Sequence, residues 1–134
     1  MGFIKARGSN LYYEEKGEGP PILLIPPSGA TASTWGAVFG DLAGAGRVIA
    51  YDRRGYGRSG GEVVRSASEH ALDAAAVLEA ADAWPAVAVG TSAGATIALD
   101  LAVRRPAGQE MPADGSRPSA KLLRGDGSQG GATE

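Results

Sequence analysis

The chain has 134 residues, no cysteine and a formal net charge of −2 at pH 7. That length suits one domain with one core. The missing thiols exclude a disulfide frame, a thiolate nucleophile and a cysteine metal site, and the near-balanced charge supplies no field to draw nucleic acid or an anionic membrane. In chain order, Met1 to Asn10 carries Lys5 and Arg7 without an apolar stretch behind them, so it is not a secretory signal. No window approaches the roughly 18 apolar residues of a membrane helix, and the expected location is cytoplasmic. Phe3 to Ala6 and Leu11 to Glu14 read as two strands joined by the turn residues Gly8-Ser9-Asn10, an antiparallel hairpin. Ile22 to Ile25, apolar throughout and bounded by prolines, suits a buried strand.

Ser33 stands as an N-cap before Trp35, Val38, Phe39 and Leu42, whose spacing marks one face of a helix, and Gly44 and Gly46 end it. Val48 to Tyr51 is the next strand, followed by a charged, glycine-rich loop over Asp52 to Gly61. Ser66 and Glu69 form a capping-box pattern at the start of an alanine-rich helix running to about Asp82. Its Leu72, Ala75 and Leu78 are expected to face a sheet. Ala86 to Val89 is a further buried strand. Strands alternating with helical runs imply βαβ units and a parallel sheet. Beyond Pro106 no apolar period is sustained, and Gly, Ser, Pro and scattered charges dominate. Residues 1–106 thus read as the folded part and 107–134 as a disordered tail, with a short helix around Ser119 to Arg124 as its one weak signal.

Chemistry concentrates at Gly90-Thr91-Ser92-Ala93-Gly94, which follows the strand Ala86 to Val89 and opens the helical run Ala95 to Val103. A G-x-S-x-G pentapeptide between strand and helix holds its serine exposed on a tight turn, the nucleophile elbow of acyl-transfer hydrolases. A serine hydroxyl needs a base before it becomes a useful nucleophile. The one histidine, His70, falls early in a helix that opens on the same face as the strand ends. Nothing in the sequence places an acid behind it, and it reads as an exposed first-turn residue. Asp52, beside Arg53 and Arg54, reads as an organiser of its own loop through backbone N–H groups. Gly55-Tyr56-Gly57-Arg58-Ser59-Gly60 is also a literal G-x-G-x-x-G. A dinucleotide fingerprint requires a helix opening at its glycines, and here the helical pattern begins only at Ser66. One histidine and scattered carboxylates show no metal-ligand spacing.

Four segments in order resemble the α/β-hydrolase fold family, in particular its small esterase, lipase and peroxidase-like members. They are Ile22-Leu23-Leu24-Ile25-Pro26-Pro27-Ser28-Gly29 with Trp35; Tyr51-Asp52-Arg53-Arg54-Gly55-Tyr56-Gly57-Arg58-Ser59, similar to the family's D-x-R-G-x-G-x-S loop; Glu69-His70-Ala71-Leu72-Asp73-Ala74; and the elbow continued by Ile97-Ala98-Leu99-Asp100-Leu101-Ala102. The resemblance covers about Tyr12 to Pro106. It implies an α/β fold containing the N-terminal part of that family's core, an antiparallel hairpin followed by parallel βαβ units. It also implies a serine hydrolase acting on a small ester-type substrate without a cofactor. Ser92 would be the nucleophile, with the backbone N–H groups of Ala93 and Ser28 as oxyanion hole. Two departures stand out. Pro26-Pro27 replaces the family's His-Gly, and the later strands, the triad acid and the triad histidine, which follow the serine in the family, have no counterpart. The chain therefore reads as truncated and at most weakly active alone, or as a non-catalytic remnant or interaction module of the same fold. Without its next parallel neighbour, the elbow strand would leave an apolar edge open to self-association.

Overall fold

The computed structural model describes residues 1–104 together with the strand positions 120–123 and 132–133. The antiparallel hairpin forms from β1 (Gly2–Ala6) and β2 (Ser9–Lys16). Then follow β3 (Pro21–Ile25), a 3-10 turn (Ala32–Trp35), α1 (Ala37–Leu42), β4 (Arg47–Tyr51), α2 (Ala67–Ala80), β5 (Ala86–Gly90) and α3 (Ala93–Arg104). Two further strands, β6 (Ala120–Leu123) and β7 (Ala132–Thr133), lie in the terminal segment. Among the described residues the strands make one sheet in the order β1-β2-β4-β3-β5-β6-β7. Its centre, β4-β3-β5-β6, is parallel.

The apolar runs of β3 and β4 are continuous because both faces of the sheet are covered. Alternation sends Leu23, Ile25, Ile49 and Tyr51 into one buried cluster with α2 and α3, through Ala71, Ala74, Leu78, Ile97 and Leu101. Leu24, Val48 and Ala50 point the other way, against Trp35, Phe39 and Leu42. The hairpin is tied to this core by β2, which pairs antiparallel with β4.

Several expectations change. The helix expected from Ser33 is split: the backbone at Gly36 takes φ 49°, separating the 3-10 turn from α1, and Thr31 stands at the cap position without a side-chain capping bond. The Ser66 cap is formed, its Oγ accepting from Glu69 N–H at 3.3 Å. Leu72 does not face the sheet. The inner stripe of α2 is His70, Ala71, Ala74, Val77 and Leu78, and Leu72, turned about 100° from Ala71 on a 3.6-residue helix, lies exposed.

Within the segment expected to lack structure, Ala120–Leu123 pairs parallel with β5, so the expected short helix there is a strand. So short a helix gains little from its few hydrogen bonds, whereas a strand satisfies the open backbone groups of β5. The premise of a bare β5 edge falls with it. The rest of the expected tail lies outside the described residues. No helix of the described residues is long and apolar enough to cross a membrane.

Candidate active site

Ser92 occupies the bend between β5 and α3. Its backbone takes φ 54°, in the left-handed region that non-glycine residues rarely adopt, and its side chain is exposed. The bend closes through Gly94 N–H to Thr91 O at 2.9 Å and Ala95 N–H to Ser92 O at 2.9 Å. The two motif glycines have separate steric reasons. A Cβ at Gly90 would collide with the Gly94 carbonyl, where helix folds back on strand. One at Gly94 would collide with the Ile25 carbonyl, where α3 crosses the end of β3. The sequence spacing is thus matched to a strand–turn–helix of the kind that raises a serine above the sheet.

Ser28 follows the end of β3 and Ala93 the end of its parallel neighbour β5, and both line one cavity of about 420 Å3. Neither N–H donates to a described backbone carbonyl in the turns and loops. Ser92 is one residue from the cavity wall at Ala93. Its hydroxyl makes no hydrogen bond with a histidine or carboxylate of the described residues.

His70 also lines this cavity, and it is buried, contrary to the expectation of an exposed first-turn residue. The inner stripe of α2 carries it under the loop, where Nε2 meets the Val64 carbonyl at 2.9 Å. That contact puts the proton on Nε2 and leaves Nδ1 as an acceptor, buried and without a partner. Burial lowers its pKa below the ordinary histidine value. The Val64 bond opposes this, the nearby Arg53 charge adds to it, Asp73 opposes it and Arg54 adds to it.

The loop after β4 explains its own motif. Asp52 does anchor it through backbone N–H groups: Oδ1 accepts from Ala32 N–H at 2.6 Å and Oδ2 from Arg58 N–H at 2.9 Å. Gly57 is small because a Cβ would strike the Asp52 carboxylate. Ser59 Oγ bridges the Asp52 carbonyl and Tyr12 N–H. Arg54 turns away to the fully buried Asp73, with Nε–Oδ2 at 2.8 Å and Nη2–Oδ1 at 2.9 Å, and reaches Ser9 and the Ala6 carbonyl. Gly55 N–H and Gly60 N–H are spent on Gly60 O and Asn10 O, and the next helix opens only at Ala67. This G-x-G-x-x-G therefore lacks the helix N-terminus that a pyrophosphate requires. Among the described residues no group of three or more His, Asp or Glu could hold a metal ion.

The model of the alpha/beta hydrolase family matches residues 22–127. The chain belongs to that family. Among curated alpha/beta hydrolase relatives, it is 39% identical over 107 residues to a putative carbamate hydrolase RutD of Azorhizobium caulinodans, covering 79% of this chain and 40% of that protein. To an uncharacterized hydrolase YraK of Bacillus subtilis it is 37% identical over 111 residues, covering 78% and 40%. The chain thus spans about 40% of the length of these curated relatives. Among solved structures, Est816, described as an N-acyl homoserine lactone degrading enzyme, superimposes with a TM-score of 0.77 at 31% identity, covering 91% of this chain and 44% of that one. The enol-lactonase of Burkholderia xenovorans LB400 gives 0.72 at 26% identity, covering 76% and 41%.

Sequence reasoning named Ser92, Ala93 and Ser28, and the fold gathers them at one end of the β3–β5 pair. It passed over Arg53, which is 2% exposed and lines the same cavity. The signal was present in the doubled arginine: Arg54 matches the motif's arginine, and Arg53 fills the variable position before it.

Proposed function

We propose that this chain carries the nucleophile end of a serine hydrolase acting on small ester-type substrates. The observation that carries the reading is the bend at Ser92: an exposed hydroxyl held at φ 54° between β5 and α3, with Ser28 and Ala93 sharing the adjacent cavity. In the reaction, Ser92 Oγ bonds to the substrate carbonyl carbon as its proton leaves to a base. The two backbone N–H groups hold the oxyanion of the tetrahedral adduct, the alcohol departs with a proton, and water resolves the acyl-enzyme. The relatives' names include a carbamate hydrolase, an epoxide hydrolase and an enol-lactonase, so acyl chemistry is within the range found on this scaffold. We place the chain in the cytoplasm.

A second reading, a non-catalytic remnant or interaction module, is favoured by one observation: no described histidine or carboxylate bonds the Ser92 hydroxyl. Without a base, turnover by the lone chain is expected to be slight, because removing triad members leaves only the roughly 10³–10⁴-fold effect of oxyanion hole and binding. The two readings separate on labelling by a fluorophosphonate probe alongside hydrolysis of p-nitrophenyl acetate. Covalent labelling in the wild type and none in Ser92→Ala supports the hydrolase. A wild type that resists the probe at all accessible pH values supports the remnant.

A further inference from the structure

Among the described residues, Arg53 is a buried cation without a counter-charge. Asp52, its neighbour in sequence, spends both carboxylate oxygens on backbone N–H groups. Asp73, on the facing helix, spends its own on Arg54 and Arg7. No carboxylate of the described residues lies within ion-pair distance of the Arg53 guanidinium. Its Nη2 donates to Ser28 Oγ at 3.0 Å, and its Cζ sits 5.1 Å from the Tyr56 ring centroid. Its Nε is fully buried and has no acceptor. Burial of an unpaired charge is unfavourable unless an opposite charge joins it, and an arginine fork suits a planar carboxylate.

The cavity repeats the same bias. Among the described residues, its lining contains Arg53 and Arg65 and neither Asp nor Glu. His70 also lines it and adds no competing anion. On one side Arg53 touches Ser28, the residue whose N–H is assigned to the oxyanion. The guanidinium thus lies beside the acyl position and not out on the surface.

We propose that Arg53 is a substrate-binding residue that receives a carboxylate, so that the preferred substrates are short esters whose acyl part carries a second, ionised carboxyl group. This deepens the serine-hydrolase reading and rests on it for the position of the acyl group.

The test uses the full chain and two esters of similar size, monomethyl succinate and dimethyl succinate, titrated by amide NMR. The monoanion is expected to bind at least about ten-fold more tightly, the effect of one charge-assisted bond pair, with shifts at Ser28 and along His70 to Ala74. Arg53→Met should abolish the preference, and Arg53→Lys should retain part of it. Arg65→Met, which removes the cavity's exposed cation, should keep most of it. Equal affinities in the wild type, or a preference lost in Arg65→Met but kept in Arg53→Met, would overturn the proposal. The wild-type comparison decides even where Arg53→Met fails to fold. Fluorophosphonate labelling separates the two claims. Labelling of Ser92 with no preference for the monoanion sinks the carboxylate site and leaves the nucleophile standing. A clear preference with no labelling sinks the nucleophile and leaves Arg53 as a carboxylate-binding residue.

Discussion

Ser92 is held in a backbone conformation that costs an L-residue about 1–2 kcal/mol, and the surrounding contacts enforce it. Gly94 is where that enforcement is most exposed to mutation. Gly94→Ala would drive a Cβ into the Ile25 carbonyl, close also to that of Pro26, and push α3 off β3. We expect a loss of roughly 1–3 kcal/mol and of Ser92 labelling together, read by urea unfolding and by the probe. Asp52 carries a comparable structural load: Asp52→Ala leaves the buried Ala32 N–H and the Arg58 N–H without acceptors and should cost about 3 kcal/mol. His70 predicts a pH dependence. Burial depresses its folded-state pKa below the unfolded value of about 6.5, so as pH falls the unfolded chain takes up the proton first. Stability is then fully present above about pH 6.5 and declines below it, down to the folded-state pKa. His70→Gln, which keeps a donor for Val64 O, should flatten that limb in urea midpoints measured between about pH 7.5 and 5.

At the scale of elements, α2 joins most of the parts. Its N-terminus is closed by Ser66, and Ser66→Ala should cost about 1 kcal/mol without altering labelling of Ser92. Its inner stripe delivers His70 to the cavity and Ala71, Ala74 and Leu78 to the core. Its Asp73 receives Arg54 from the loop and Arg7 from the hairpin. The positions of these helices followed from apolar spacing, but their faces did not always follow. Leu72 is as apolar as Leu78, and only the packing of α2 against both α3 and β1 decides that Leu72 is left outside. The first helix was misread for a local reason: Trp35 and Phe39 satisfy a helical period, but Gly36 between them sits at positive φ and divides the segment.

For the molecule as a whole, the sheet does not end at the elbow strand. β6 takes the position beside β5 and β7 follows it antiparallel. Removal of residues 105–134 should strip β6 from β5, lower the thermal midpoint and promote association through the exposed edge, checked by a melting curve and sedimentation velocity. An unchanged sedimentation profile with an unchanged midpoint would mean that β6 contributes nothing to the sheet. A weak apolar pair, Leu122-Leu123, was the sole hint of this strand in the sequence, because a four-residue parallel strand takes most of its definition from the neighbour it pairs with.

The sequence by itself determined the alternation of strands and helices, the family, the glycines of the bend and the identity of the serine on it. Each of these is local: a period, a cap, or a position where a side chain has no room. Only the tertiary structure decided that Ser28 and Ala93 meet at one cavity, that His70 is buried there, that Asp73 is claimed by Arg54, and that no described carboxylate pairs with Arg53. Those outcomes depend on which carboxylate lies within reach of which cation after β3, β4 and β5 are laid side by side, and chain order does not record distance across a sheet.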